Sequence, residues 1–175
     1  MAETIVVNLF AGPGSGKSTM ATGIFSELKW SGVNAEYVSE FAKDLVWEGR
    51  YKTLSNQLYV FGEQLHRIER LMGNVDVIIT DSPILLSLIY KPEGFSSHFD
   101  SLVLETFTKY RSINYFLTRL KVYDPRGRMQ TADEARTVDE VVLNTLYSQS
   151  IPFTTIPGNK DGMKLIVGDV IKILK

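Results

Sequence analysis

The chain has 175 residues, 44% hydrophobic and 22% charged, the values of an ordinary globular protein with room for one domain rather than two. Its formal net charge of −1 argues against wholesale coating of nucleic acid, which needs a basic surface, and leaves room only for a local basic groove. With no cysteine there are no disulfides, thiolate metal sites or cysteine nucleophiles.

Residues 4–10 form a strand so apolar that burial on both faces is expected, as in a parallel sheet. A helix over 18–31 follows, then a strand over 34–39 and a short helix over 40–49. Residues 54–72 read as one amphipathic helix, with Leu54, Leu58, Phe61, Leu65, Ile68 and Met72 on its apolar stripe. Gln57, Gln64, Arg67 and Arg70 fall on the other face. A third strand over 75–80 precedes a helix over 83–90, where Pro83 is tolerated in the first turn. Residues 91–100 (KPEGFSSHFD) read as a polar and aromatic loop. A helix over 102–110, a strand over 113–118 and a helix over 133–148 come next. The last strand spans 151–157, and a closing helix spans 159–174 with Asn159 as its cap. Trp30, Trp47 and Tyr59, at helical spacings, are expected in the core, and His66 and His98 at the surface. The pattern predicts the α/β class: one three-layer α/β/α domain over residues 1–175, with a five-stranded, mainly parallel sheet and ligands at the strands' carboxyl ends. No basic and apolar leader opens the chain and no apolar run approaches a membrane span, so a cytoplasmic protein without a membrane partner is expected. Oligomeric state is not readable from these patterns.

Residues 11–19 (AGPGSGKST) fit the phosphate-binding loop, with alanine in the first position where glycine is commoner. Gly12, Gly14 and Gly16 let the backbone turn its amides inward around a phosphate, and the following helix adds its positive end. Gly12, Pro13, Gly14, Ser15, Gly16, Lys17, Ser18 and Thr19 are therefore the expected nucleotide contacts. Lys17 reaches the β- and γ-phosphates of ATP or a close relative, and the Ser18 hydroxyl takes a Mg²⁺ position.

Kinase, GTPase and ATPase readings compete for this loop. Guanine reading uses Asn-Lys-x-Asp, and residues 158–162 (GNKDG) place Gly162 where the carboxylate belongs; helix capping explains Asn159 better. A motor ATPase ends a strand in Asp-Glu, whereas here Asp81 is followed by Ser82, which favours a kinase. Glu40 stands after the second strand, where a carboxylate orients an acceptor hydroxyl and takes its proton. Asp81 ends the third strand and suits Mg²⁺, directly or through water. Residues 119–128 (RLKVYDPRGR) carry a local excess of three positive charges and a turn. An arginine-rich lid at about 119–132 is expected there, with Arg126 and Arg128 closing over the transferred phosphoryl.

These features together resemble the small P-loop kinases of the nucleoside and nucleoside-monophosphate kinase group. Residues 36–45 (EYVSEFAKDL), 56–71 (NQLYVFGEQLHRIERL), 75–90 (VDVIITDSPILLSLIY) and 124–128 (DPRGR) resemble the nicotinamide-riboside-kinase-like branch. Within it the chain is similar to phage-encoded P-loop kinases that phosphorylate 5-hydroxymethyluracil in DNA. The resemblance implies a P-loop NTPase fold, ATP and Mg²⁺, and a nucleotide-type acceptor such as DNA with a flipped or single-stranded base, in a host cytoplasm. The Asp-Arg pair of thymidylate kinases is absent, Ser82 standing after Asp81.

On the acceptor side, Phe41, Lys43, Gln64 and Arg67 combine the stacking face, amide and cations that suit a base and a phosphate. Trp47, Arg50, Tyr51 and Gln57 lie in the same stretch, and the loop with Phe95, His98 and Phe99 is placed to close over them. A free nucleoside or deoxynucleoside-monophosphate acceptor stays open at this point, as does an ATPase or ATP-gated interaction module.

Overall fold

Six consecutive buried residues, Ile5–Phe10, form β1 at the centre of the sheet in the computed structural model, which describes residues 3–120 and 131–175. β3 (Val77–Thr80) and β4 (Arg111–Thr118) flank β1, with β2 (Ala35–Val38) and β5 (Thr154–Pro157) at the edges, in the order β2-β3-β1-β4-β5. All four pairings are parallel, so the described sheet is wholly rather than mainly so. Every strand therefore delivers its carboxyl end to the same edge, where ligands collect in such sheets.

Alternation along β1 sends Ile5, Val7 and Leu9 to one face and Val6 and Phe10 to the other. The first face is covered by α1 (Lys17–Trp30) and α8 (Lys160–Leu174), through Ile24, Leu28, Ile166 and Val170. The second is covered by α4 (Gln57–Glu69), α6 (Ser97–Thr108) and α7 (Ala132–Ser148), through Phe61, Val103, Phe107 and Leu146. The result is the three-layer α/β/α arrangement. Each such side chain contributes roughly 1.5–3 kcal/mol by leaving water. Asn8, polar in the middle of β1, donates to the Asn114 side chain at 2.9 Å, and Asn114 donates to the Pro152 carbonyl at 3.0 Å. That chain of bonds offsets the cost of burying two amides.

Several expected elements are placed differently. The single helix over 54–72 is divided into α3 (Tyr51–Leu54) and α4, after the short α2 (Phe41–Trp47). The break falls at Asn56, whose side chain accepts from Tyr59 N–H and so caps α4. Phe61 and Ile68 of the expected apolar stripe are buried, but Leu58 lies 56% exposed and Gln57 and Gln64, expected on the other face, are buried beside the stripe. The helix over 83–90 is a 3₁₀ turn, Ile84–Leu86, running into α5 (Ser87–Tyr90). The loop over 91–100 is shorter than expected, because Ser96 caps α6 by accepting from His98 N–H. Phe99 then packs edge-on between Phe61 and Phe95 in the core rather than closing over a site. Trp30 and Trp47, expected inside, are 81% and 67% exposed, and Tyr59 is 39% exposed. Their helices bury other residues: Ile24 and Leu28 in α1, Phe41 and Leu45 in α2, Phe61 and Ile68 in α4. Residues 121–130, and with them Arg126, Arg128 and most of the expected lid, lie outside the described residues. Among the described residues no helix is long and apolar enough to cross a membrane.

Candidate active site

β1 feeds directly into the phosphate loop, where Gly14 and Gly16 adopt φ of +75° and +98°, a region that glycine enters without a Cβ penalty. Gly16 is the left-handed N-cap of α1 and Lys17 its first residue, so the helix opens on the loop with its first amides unpaired within the helix. The Lys17 ammonium donates to the Ala11 and Gly12 carbonyls at 2.8 and 2.9 Å. An ammonium has three donors, and the third remains for a phosphate oxygen. Desolvation pulls the Lys17 pKa below its ordinary value, against the opposing pull of the Glu40, Asp81 and Asp139 carboxylates.

A second contact fixes the loop from the side. The Gly12 amide donates to Asp139 Oδ1 of α7 at 2.5 Å. Asp139 Oδ2 accepts from Arg119 Nε and Nη2, at 3.0 and 2.9 Å. Both side chains are largely buried, at 15% and 17% exposure, so this pair is far less screened than a surface one. A Cβ on Gly12 would stand 2.5 Å from the Ala135 carbonyl, which explains glycine here by close approach rather than by φ. Arg119, expected to open the mobile lid, is thus a pinned residue at the end of β4.

The expected metal ligands lie on the neighbouring strand ends. Asp81, 2% exposed, accepts the Tyr37 hydroxyl on Oδ2 at 2.9 Å, while its Oδ1 is buried without a hydrogen-bond partner. The Ser18 side chain lies close enough to the Tyr37 phenol to influence its titration, so the phenol stands near both groups. Burial and the Asp81 carboxylate raise the Tyr37 pKa, which keeps the phenol a neutral donor. A hydroxyl and an orphaned carboxylate oxygen are hard donors of the kind Mg²⁺ takes, with phosphate and water oxygens completing six. The residues present fit that ion.

A cavity of about 530 Å³ opens from this centre and runs between the loop and α2–α5. Lys17, Ser18, Glu40 and Asp81 line its inner end. Its walls are largely apolar, from Val46, Leu54, Val60, Ile84 and Leu86, with Lys43, Gln57, Gln64 and Tyr90 among the polar groups. Of the four expected acceptor contacts, Lys43 and Gln64 face this cavity and Phe41 and Arg67 do not. Phe41 is buried against Leu45 and Val60. Arg67 stacks on the Phe41 ring at 4.9 Å and pairs with Asp44 at 2.7 Å, which holds α2 to α4. Gln64 also fastens the fold, accepting from Phe41 N–H at 2.9 Å and so holding the turn that carries Glu40.

Pro13, Gly14, Gly16 and Thr19 line the same cavity, whereas the Ser15 side chain is wholly buried behind it. Asn159 accepts from Asp161 N–H and Gly162 N–H as the cap of α8, so its side chain is committed to the helix rather than to a base. Tyr37, Asp139 and Arg119 as a fixed partner are the residues that sequence reasoning missed. Tyr37 carries no motif, and Asp139 is one acidic residue among several on an exposed helix.

A search of curated proteins finds no match. The sequence profile of a family described as AAA domain matches residues 6–162, most of the chain and all of the strand ends described above. The chain belongs to this AAA domain family of P-loop nucleotide-binding proteins.

Proposed function

We propose that the chain is an ATP- and Mg²⁺-dependent kinase that moves the γ-phosphoryl to a hydroxyl of a nucleotide-type acceptor, in the finest reading 5-hydroxymethyluracil in DNA. The observation that carries this reading is the cavity that begins at Lys17 and Ser18 and continues past Glu40 into apolar walls. Hydrolysis needs only a positioned water, whereas transfer to an organic acceptor needs a shaped, water-poor chamber beside the terminal phosphate. Asp81-Ser82 also supplies no second carboxylate in sequence to activate water.

In this reading the loop amides and Lys17 hold the donor phosphates, and Ser18 and Asp81 hold Mg²⁺. When bound, Mg²⁺ would supply positive charge that offsets the charge of the transferred phosphoryl. Glu40 accepts the acceptor's hydroxyl proton as its oxygen bonds to the γ-phosphorus and the bond to the β-phosphate oxygen breaks, leaving ADP. Arg126 and Arg128, outside the described residues, are assigned to offset the charge of the transferred group. Support for a polymer acceptor comes from Trp47 and Tyr51, 67% and 53% exposed at or beside the cavity wall, where flanking bases can stack. A base enters such a chamber only after leaving its stack.

The test is ADP release measured with and without candidate acceptors: nucleosides, nucleoside monophosphates, and plain or hydroxymethylated single-stranded DNA. Stimulation by hydroxymethylated DNA supports the finest reading, and stimulation by a free nucleoside or monophosphate alone replaces it with the corresponding small-molecule kinase. ADP release at one rate whatever is added favours an ATPase.

A further inference from the structure

α4 presents three residues to the cavity, Gln57, Val60 and Gln64, spaced three and four apart on one helix edge. The two amides are in different states. Gln64 is committed at both ends, accepting from Phe41 N–H at 2.9 Å and donating to the Ser39 carbonyl at 3.4 Å. Gln57, only 6% exposed, makes one long bond, from Nε2 to the Leu54 carbonyl at 3.4 Å, and its Oε1 accepts from none of the described residues. It is not the cap of its helix either, since Asn56 fills that role. Leu54, Val60 and Leu86 line the same cavity. A nearly buried carboxamide with spare capacity, set in an apolar wall, is the arrangement by which a small-molecule site fixes ligand orientation.

Resting on the kinase reading, we infer that Gln57 reads the acceptor by a bidentate contact to an uncharged planar heterocycle whose edge offers an N–H beside a C=O. A carboxamide presents an acceptor and a donor side by side, and such a lactam or imide edge is its complement. The cations nearest this wall fit an uncharged ring. Arg67 is paired with Asp44 and Arg50 with Glu48, which leaves Lys43 beside the loop lysine among the described residues that line the cavity. The ring stacks or packs on the aliphatic walls while its hydroxyl points to Glu40.

The test measures binding, apart from turnover. The probes are 5-hydroxymethyl-2′-deoxyuridine, free and within a short single-stranded oligonucleotide, and the same two compounds methylated at N3, which blocks the imide edge. Calorimetry on the wild-type protein is expected to show about a tenfold loss on N3-methylation, the effect of one bidentate contact. Gln57→Met, close in volume and without polar atoms, is expected to bind the unmethylated probes about tenfold more weakly and to be nearly indifferent to methylation. Unchanged ADP affinity and melting temperature show that this variant is folded; the comparison of probes on wild type needs no variant at all. Equal binding of methylated and unmethylated probes, a methylation loss of the same size in Gln57→Met, or no binding by any probe overturns the inference. Label transfer from ATP to both probes with equal efficiency overturns it too, and leaves the kinase reading standing. The predicted binding pattern without any transfer supports Gln57 as a reader and sinks the kinase.

Discussion

Asp139 and Gly12 are 127 residues apart and joined by a 2.5 Å hydrogen bond that ties the first glycine of the phosphate loop to α7. The same carboxylate holds Arg119, so one side chain secures the loop, the end of β4 and the helix that follows residues 121–130. Asp139→Ala removes the acceptor and leaves a largely buried guanidinium unpaired. Such a loss costs about 3–5 kcal/mol of stability, read by denaturant unfolding, and a loop no longer held is expected to bind ADP about tenfold more weakly. Gly12→Ala acts on the same contact from the other side, because its Cβ meets the Ala135 carbonyl at 2.5 Å; a loss of about 1–3 kcal/mol is expected. Unchanged stability and ADP affinity in both variants would show that the contact is incidental.

Glu40→Gln keeps the size of the side chain and removes its capacity to take a proton. The rate of transfer is expected to fall by about 10²–10⁴ with ATP affinity within a few-fold of wild type. Rapid-quench measurement of a single turnover, with separate equilibrium binding of ATP, separates the two effects. Loss of ATP affinity with intact chemistry would assign Glu40 to the donor side.

Tyr37→Phe deletes only the hydroxyl that Asp81 accepts from. Residues that orient a metal ligand from behind typically change metal affinity by about 10- to 100-fold. The Mg²⁺ concentration for half-maximal activity is therefore expected to rise about tenfold, and Mn²⁺ binding followed by its electron paramagnetic resonance signal should weaken in parallel. An unaltered metal requirement would detach Tyr37 from the metal site.

Desolvation lowers the Lys17 pKa in the nucleotide-free protein. Only the charged ammonium attracts phosphates, and bound phosphates raise its pKa again. Nucleotide affinity is accordingly full below the lowered value of the free protein. It declines as pH rises through that value, earlier than at the ordinary lysine value of 10.5. An ADP-binding titration from neutral to alkaline pH reads this directly. Affinity that holds constant until the ordinary lysine range would mean that Lys17 stays as readily charged as in water.

Local pattern carried most of the fold. The predominantly apolar runs in β1 and β3 announced strands buried on both faces, and residues 11–19 announced the loop and the helix after it. The cap at Asn159 was legible for the same reason, since its partners are two and three residues away. Legibility ended where partners are remote. Nothing near Asp139 marks it as the acceptor for Gly12, and nothing near Tyr37 points 44 residues ahead to Asp81. Arg67 misled because its charge and position suited a phosphate, while Asp44, 23 residues back, claims it in the fold. The apolar spacing of residues 54–72 marked Phe61 and Ile68 correctly and failed at Leu58 and the two glutamines for a different reason. A helix edge that lines a cavity is buried without being apolar, so Gln57 and Gln64 face inward while Leu58 faces out.

The central claim is that the terminal phosphoryl of ATP goes to an acceptor hydroxyl held in the cavity beside Glu40. Its most direct test follows labelled γ-phosphate in a single turnover with hydroxymethylated single-stranded DNA present, in wild type and in Lys17→Ala. The account predicts label covalently attached to the DNA with wild type and none above background with Lys17→Ala. Label recovered only as inorganic phosphate, at the same rate with or without the acceptor, would contradict it.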